Sequence, residues 1–77
     1  MANVTIYSTP TCTFCKMSKD FFKANNIDYT EHDVSSDQAK AQEMIDKSGQ
    51  MAVPVIDIDG EIVVGFDEAK LKQLLKL

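Results

Sequence analysis

The stretch Ile6-Tyr7-Ser8-Thr9-Pro10-Thr11-Cys12-Thr13-Phe14-Cys15-Lys16 decides how this chain is organised. Residues 6–8 of this stretch are the end of a run over 3–8 in which side chains alternate with the period of a short β-strand. The Thr9-Pro10-Thr11 segment interrupts that strand. An apolar period of three to four residues then predicts a helix over 13–25. The two cysteines therefore lie between the end of a strand and the start of a helix.

The same periods predict which residues of the first strand and the first helix share a face. In the strand, Val4 and Ile6 lie on one face, with Thr5 and Tyr7 on the other. In the helix, the spacing predicts a buried stripe of Phe14, Met17, Phe21 and Ala24. Phe14 is equally consistent with an exposed aromatic ring beside the cysteines.

The middle of the chain predicts a second strand and a second helix. Residues 27–33 alternate but are more polar, which is typical of a strand near the edge of a sheet. Ser35 and Gln38 have the spacing of a capping box, and Gly49 supplies a stop, so a helix is expected over 36–48.

The last third of the chain predicts a hairpin followed by a helix. Apolar runs at 55–58 and 62–64 flank Asp59-Gly60, a preferred two-residue hairpin turn. Asp67 can cap a third helix, in which Phe66 packs on Leu71 as a hydrophobic staple. The predicted order is β-α-β-α-β-β-α, an α/β fold with a four-stranded mixed sheet and three helices. The first two strands should be parallel and the hairpin antiparallel.

Composition limits the classes of function. The chain has 77 residues, which suit one domain over 1–77, and it carries twelve carboxylates against eight lysines with no arginine. This balance excludes a basic nucleic-acid-binding surface. The start of the chain lacks the pattern of a signal peptide, and no apolar run could span a bilayer, so we expect the cytoplasm and no membrane partner. We also expect a monomer.

The cysteine pair indicates thiol chemistry. At a helix start, unpaired N–H groups and the helix dipole stabilise an anion, so Cys12 should ionise more readily than a free thiol. Cys15, one turn further, should be more buried. Cys12 can then attack a disulfide, and Cys15 can resolve the mixed disulfide that forms.

Other interpretations of the polar residues remain open. The pair could form a structural disulfide, or half of a metal site shared between two chains, although two cysteines and one histidine cannot complete a four-ligand zinc site in one chain. Lys16 and Lys19 could lower the pKa of the thiol or simply be solvated. His32 is expected to face solvent from its strand.

Three motifs in register give the chain a family resemblance. The segment 6–16, Val53-Pro54-Val55-Ile56, and Gly65-Phe66-Asp67-Glu68 come at the intervals seen in the glutaredoxin family, which the chain resembles over nearly its whole length. The resemblance implies a thioredoxin-like fold with strand order 2-1-3-4. It also implies a cis peptide bond at Val53-Pro54, whereas the residues alone favour trans.

The resemblance implies a thiol-disulfide oxidoreductase with catalytic Cys12 and Cys15, no tightly bound cofactor and no metal. Glutathione would be the co-substrate and disulfide-containing proteins the partners. The Val53 backbone would pair with glutathione, and the N–H groups of Asp67 and Glu68 would bind its γ-glutamyl carboxylate, since no arginine is present. The full set of glutathione-binding residues implied is Thr9, Phe14, Val53, Pro54, Gly65, Phe66, Asp67 and Glu68, with Lys16 as a residue that tunes the thiol pKa.

Three positions depart from the glutaredoxin pattern. Thr9 stands where a lysine is common, Thr13 where a proline is common, and Val64 where a Gly-Gly pair begins. The chain also resembles ribonucleotide-reductase-associated redoxins, which thioredoxin reductase reduces. A third interpretation is an iron-sulfur carrier in which Cys12 from two chains holds a cluster.

Overall fold

The computed structural model describes residues 3–77, which form four strands and three helices. In chain order the elements are β1 (Val4–Ser8), α1 (Thr13–Ala24), β2 (Thr30–Asp33), α2 (Gln38–Ser48), β3 (Val55–Ile58), β4 (Glu61–Val64) and α3 (Glu68–Leu75). The expectation that the start of the chain lacks a signal peptide includes Met1 and Ala2, which lie outside the described residues. Within residues 3–77, every helix is too short or too polar to cross a lipid bilayer.

The sheet has the strand order β2-β1-β3-β4. β1 runs parallel to β2 and antiparallel to β3, with Tyr7 opposite both His32 and Val55. β3 and β4 form an antiparallel hairpin. The predicted order of elements, the strand order and the edge position of β2 are therefore confirmed.

Each face of the sheet has its own core, as the alternation in β1 predicts. Val4 and Ile6 pack with buried residues of α1 and α3, including Phe22 and Leu71. Tyr7 packs on the opposite face with Met44 of α2 and with Val55. One layer of helices thus consists of α1 and α3, and the other of α2 alone.

The predicted buried stripe of α1 is wrong except at Phe21. Phe14 is 58% exposed, Met17 is 43% exposed and Ala24 is also exposed. The buried residues of this helix are Cys15, Ser18, Phe21 and Phe22. The buried face therefore runs through Cys15, Ser18 and Phe22, one residue on from the predicted stripe, and Phe14 faces outward.

β2 begins three residues later than predicted, because residues 25–27 finish the preceding helix. Asn26 has a left-handed φ of 56°, and its N–H donates to the Lys23 carbonyl at 3.2 Å. The Ile27 N–H donates to the Phe22 carbonyl at 2.8 Å. This pair of bonds is a Schellman motif, which asparagine tolerates.

The predicted capping box of α2 is also wrong. Asp37 is the N-cap and accepts a hydrogen bond from the Lys40 N–H at 3.1 Å, so the helix begins at Gln38. Ser35 instead donates its N–H to Asp33 at 2.9 Å, in the turn that follows β2. At its other end α2 stops at Gly49, where φ is 73°, as expected.

The remaining turns agree with the sequence prediction. Asp59 and Gly60 both have positive φ, at 52° and 92°, as a type I′ hairpin turn requires. Asp67 caps α3 by accepting from the Lys70 N–H at 3.2 Å. Phe66 packs against the core cluster that contains Leu71, consistent with a staple.

A polar network joins α2 to the sheet. The buried Tyr7 hydroxyl donates to Glu43 and accepts from Lys47 at 3.0 Å, and Lys47 also lies 2.9 Å from Asp57. Burial and the bond to Glu43 raise the pKa of Tyr7. Burial alone would raise the pKa of Asp57, but hydrogen bonds from Lys47 and from the Gly60 N–H outweigh it and lower that pKa.

The burial of two leucines predicts different losses in the free energy of unfolding when each is replaced by alanine. Leu71 is fully buried, so Leu71→Ala should lower the free energy of unfolding by about 2–5 kcal/mol. Leu77 is 54% exposed, so Leu77→Ala should change it by less than about 0.5 kcal/mol. Urea denaturation with a common slope measures both, and equal losses would contradict the described core.

The polar network predicts an acid dependence of stability. The folded-state pKa of Asp57 lies below its ordinary value of 3.8, so its stabilisation is present above that value and is lost as pH falls through the folded-state pKa. Asp57→Asn should therefore lose less stability than the wild type between neutral pH and about pH 3. Exposed Asp28→Asn is the control and should keep the wild-type loss. Parallel losses in all three proteins, measured by urea denaturation at both pH values, would refute the role of Asp57.

Candidate active site

The cysteine pair lies at the point where β1 gives way to α1. The Cys12 N–H donates to the Thr9 carbonyl at 3.3 Å, which closes the turn around Pro10. Cys12 is the N-cap of α1, and its Sγ accepts a hydrogen bond from the Cys15 N–H at 3.1 Å. The two cysteines form a disulfide, with their Cα atoms 5.2 Å apart.

The two sulfurs differ in their surroundings. Cys15 is fully buried, whereas Cys12 is half-buried at the surface of the turn. An N–H donor at a helix start stabilises negative charge on the Cys12 sulfur. An attacking group can therefore reach Cys12 but not Cys15.

The Val53-Pro54 segment approaches the same end of the sheet. Its peptide bond is cis, as the resemblance implies. The register ends at the pair of Tyr7 and Val55, and beyond it Thr9 and Val53 line one shared cavity. Pro54 is buried and Val53 half-buried. Within residues 3–77, the N–H and C=O groups of Val53 take part in no hydrogen bond.

A third segment joins the other two through Pro54. The Gly65 N–H donates to the Pro54 carbonyl at 2.8 Å, and Gly65 has a φ of 85°, which favours glycine. The half-buried Phe66 ring lies edge-on to Phe21, with centroids 6.0 Å apart. Asp67 and Glu68 are exposed at the start of α3.

Lys16 and Lys19 have different surroundings in the structure. Lys16 is exposed on α1. Lys19 pairs instead with Glu31 of β2, at 2.7 Å, and the buried Ser8 hydroxyl donates to the same carboxylate at 2.8 Å. The bonds from Lys19 and then from Ser8 lower the pKa of Glu31. Lys19 is thus held by a carboxylate beside the Thr9–Cys12 turn.

The structure places two further residues differently from expectation. His32 is half-buried, and its ring lies 5.5 Å from the Tyr7 ring, so the expectation of a solvent-facing side chain is wrong. Met51, which the sequence did not single out, is 80% exposed just before Val53. Neither Met51 nor the Ser8–Glu31 bond has a local sequence signal, because both depend on segments distant in the chain.

No group of three or more histidine, cysteine, aspartate or glutamate side chains is arranged to hold a metal ion within the described range 3–77.

Two curated proteins are similar to almost all of this chain. A glutaredoxin-like protein of Clostridium pasteurianum, uncharacterised and from a rubredoxin operon, is 45% identical over 73 residues, covering 95% of this chain and 97% of that protein. Glutaredoxin 3 of Escherichia coli is 37% identical over 68 residues, covering 88% and 82% of the two chains.

A solved structure agrees with the fold. The crystal structure of a mutant thioredoxin-like protein superimposes with a TM-score of 0.91 at 38% identity, covering 99% of this chain and 97% of that one. The fold is therefore thioredoxin-like.

The glutaredoxin family model matches residues 4–63, which include both cysteines, β1–β3 and most of β4. Together with the two relatives, this match shows that the chain belongs to the glutaredoxin family of thiol-disulfide oxidoreductases.

Proposed function

We propose that this chain is a glutathione-dependent oxidoreductase that reduces protein disulfides and glutathione mixed disulfides, with Cys12 as nucleophile and Cys15 as resolving thiol. The asymmetry of the two sulfurs carries the proposal: Cys12 is accessible and accepts an N–H bond, while Cys15 is fully buried. One chain supplies every group needed, so the protein acts as a monomer. The proposed compartment is the cytoplasm, where thiols are kept reduced.

The reaction on a protein disulfide has two exchange steps. The Cys12 thiolate attacks one substrate sulfur, forming a mixed disulfide and releasing the other substrate sulfur as a thiolate. Cys15 then attacks Cys12 Sγ as its proton passes to the departing substrate sulfur, which leaves as a thiol, and the Cys12–Cys15 disulfide remains. Two electrons pass to the substrate. Two glutathione thiols reverse the change on the protein and leave as glutathione disulfide.

The Val53 main chain supports binding of an extended peptide such as glutathione. Its N–H and C=O groups are unused within residues 3–77, and Val53 lines the same cavity as Thr9, which lies three residues before the nucleophile. Strand addition at such a segment gives affinity through the main chain, whatever the side chain of the peptide. Buried Pro54 and exposed Phe14 border the bound peptide in this proposal.

The start of α3 supports binding of the γ-glutamyl carboxylate. The Asp67 side chain caps the Lys70 N–H, and among residues 3–77 the N–H groups of Asp67 and Glu68 donate to no acceptor. Free N–H groups at a helix start favour an anion. The Gly65 bond to Pro54 holds this segment beside the Val53 segment, and the packing of Phe66 on Phe21 fixes the turn between them.

A second candidate function keeps the cysteine chemistry but takes electrons from thioredoxin reductase. It is favoured by Thr9, which offers no cation for the glycine carboxylate of glutathione, and by Val64 in place of a glycine. The relative from the rubredoxin operon is itself described only as glutaredoxin-like. These observations concern the source of electrons and leave the roles of Cys12 and Cys15 unchanged.

Substitution of each cysteine separates their roles. Cys12→Ser should lower reduction of a glutathione mixed disulfide by at least about a thousandfold, because a hydroxyl replaces the attacking thiolate. Cys15→Ser should stay within about tenfold of wild type, because a second glutathione can release Cys12. Initial rates with a glutathionylated peptide measure both. Equal loss in the two variants would exclude the monothiol route.

A coupled assay identifies the reductant. NADPH oxidation is followed with glutathione plus glutathione reductase, and separately with thioredoxin reductase, on the same disulfide substrate. We expect turnover to be at least about tenfold faster with glutathione, because Val53 and the start of α3 offer it main-chain groups. Faster turnover with thioredoxin reductase would replace the leading proposal with the second candidate. Cys12→Ser supplies the background rate in both arms.

A further inference from the structure

An apolar groove opens beside the proposed peptide-binding segment. It encloses about 210 Å³ between the β2–α2 turn, α2 and the loop before Pro54. Its lining is mainly apolar, including Val34, Met44, Met51 and Val53, with Thr9 and Ser35 as its hydroxyl-bearing residues. None of the lining residues within 3–77 carries a charge.

The surface on the opposite side of Thr9 carries charged side chains. A cleft of about 360 Å³ there is lined by Lys19, Glu31 and Asp33 as well as by Thr9 itself. A carboxylate that entered the apolar groove would lose water without gaining a cationic partner, which is unfavourable. The groove is therefore chemically suited to a neutral apolar group and unsuited to the glycine carboxylate of glutathione.

Met51 marks the groove as a binding surface. This side chain is 80% exposed, more than any other large hydrophobic residue described, and it stands two residues before the unpaired main chain of Val53. Exposed apolar side chains that are contiguous, as Met51 is with Val34, Ala41 and Val53 around this groove, are typical of a binding surface. Phe14, 58% exposed, lies two residues after Cys12 and extends the apolar character around the nucleophile.

We infer that this groove is a specificity subsite for protein substrates, and that it takes one apolar side chain located within two residues of the target cysteine. The inference rests on the proposed function, because it requires Cys12 to attack a substrate held along Val53. An extended peptide paired with Val53 directs alternate side chains to opposite sides. Since Val53 and Thr9 both line the groove, one of those side chains borders it.

The size of the groove fits a single side chain. Its volume of about 210 Å³ is large enough to admit one leucine or methionine side chain. Discrimination by one apolar pocket reaches about 10–200-fold. The subsite adds no chemistry: Cys12 and Cys15 exchange with the substrate disulfide as described above, and only the binding of the attacked peptide changes.

A peptide series tests the inference. Homodimeric disulfides of a short serine-rich peptide are prepared with one leucine at each of the two positions before or after the cysteine, and a parallel series carries aspartate. Fully reduced protein is mixed with each peptide, and single-turnover rates are read by acid quench and mass spectrometry, so no external reductant enters. For at least one position, leucine should react about tenfold faster than serine, and aspartate should react no faster than serine.

Three variants locate the effect. Met51→Ala should reduce the leucine preference to about threefold or less, and Met51→Lys should remove it and make the aspartate peptide the faster one. Met17→Ala is the matched control, since Met17 is also an exposed methionine, at 43%, but lies on α1 and does not line the groove. It should keep the wild-type preference.

The outcomes distinguish failure of the subsite from failure of the proposed function. Equal rates for all peptides, or equal loss of preference in the Met51 and Met17 variants, would overturn the subsite while leaving the roles of the cysteines intact. Unchanged rates in Cys12→Ser would overturn the proposed function and the subsite with it. The choice between glutathione and thioredoxin reductase does not affect this experiment, because each turnover uses only the electrons of the reduced protein.

Discussion

The antiparallel pairing of β1 with β3 is the interaction on which the site depends. It places the carboxyl end of β1, which leads to Thr9 and Cys12, next to the amino end of β3, which is preceded by Val53 and Pro54. The hairpin to β4 then brings Gly65 within hydrogen-bond distance of Pro54. The Thr9–Cys12 turn, the Val53-Pro54 segment and Gly65 therefore meet at one end of the sheet, although they lie far apart in the chain.

Helix geometry makes two chemically identical cysteines unequal. Cys12 stands at the N-cap, where backbone N–H groups point outward, and Cys15 follows one turn later on the buried side. The same rotation that buries Cys15 exposes Phe14 and Met17. The exposure of Phe14, two residues after the nucleophile, is thus a geometric consequence of turning Cys15 to the buried side of α1.

Charge is arranged asymmetrically around the Thr9 turn. Lys19 and Glu31 form an ion pair on one side, with Ser8 bonded to the same carboxylate, while no charged residue within 3–77 lines the groove on the other side. On the α2 face, the Tyr7, Lys47 and Asp57 network satisfies a buried hydroxyl and ties helix to sheet. The fold thereby pairs Lys19 with Glu31 and Lys47 with Asp57.

Local patterns in the sequence determined the chemistry and most of the architecture: the C-x-x-C pair between strand and helix, the Asp59-Gly60 turn and the Asp67 cap all depend on residues within a few positions of one another. The family resemblance added the strand order and the cis bond at Pro54. The cap of α2 is also local, because Asp37 rather than Ser35 accepts the Lys40 N–H three residues further on. Tertiary structure alone decided which face of α1 is buried and that His32 lies against Tyr7. It also decided that Lys19 binds Glu31 and that Met51 borders a groove. These features join residues separated by up to several tens of positions, and the sheet register that brings them together leaves no signature in any one local segment.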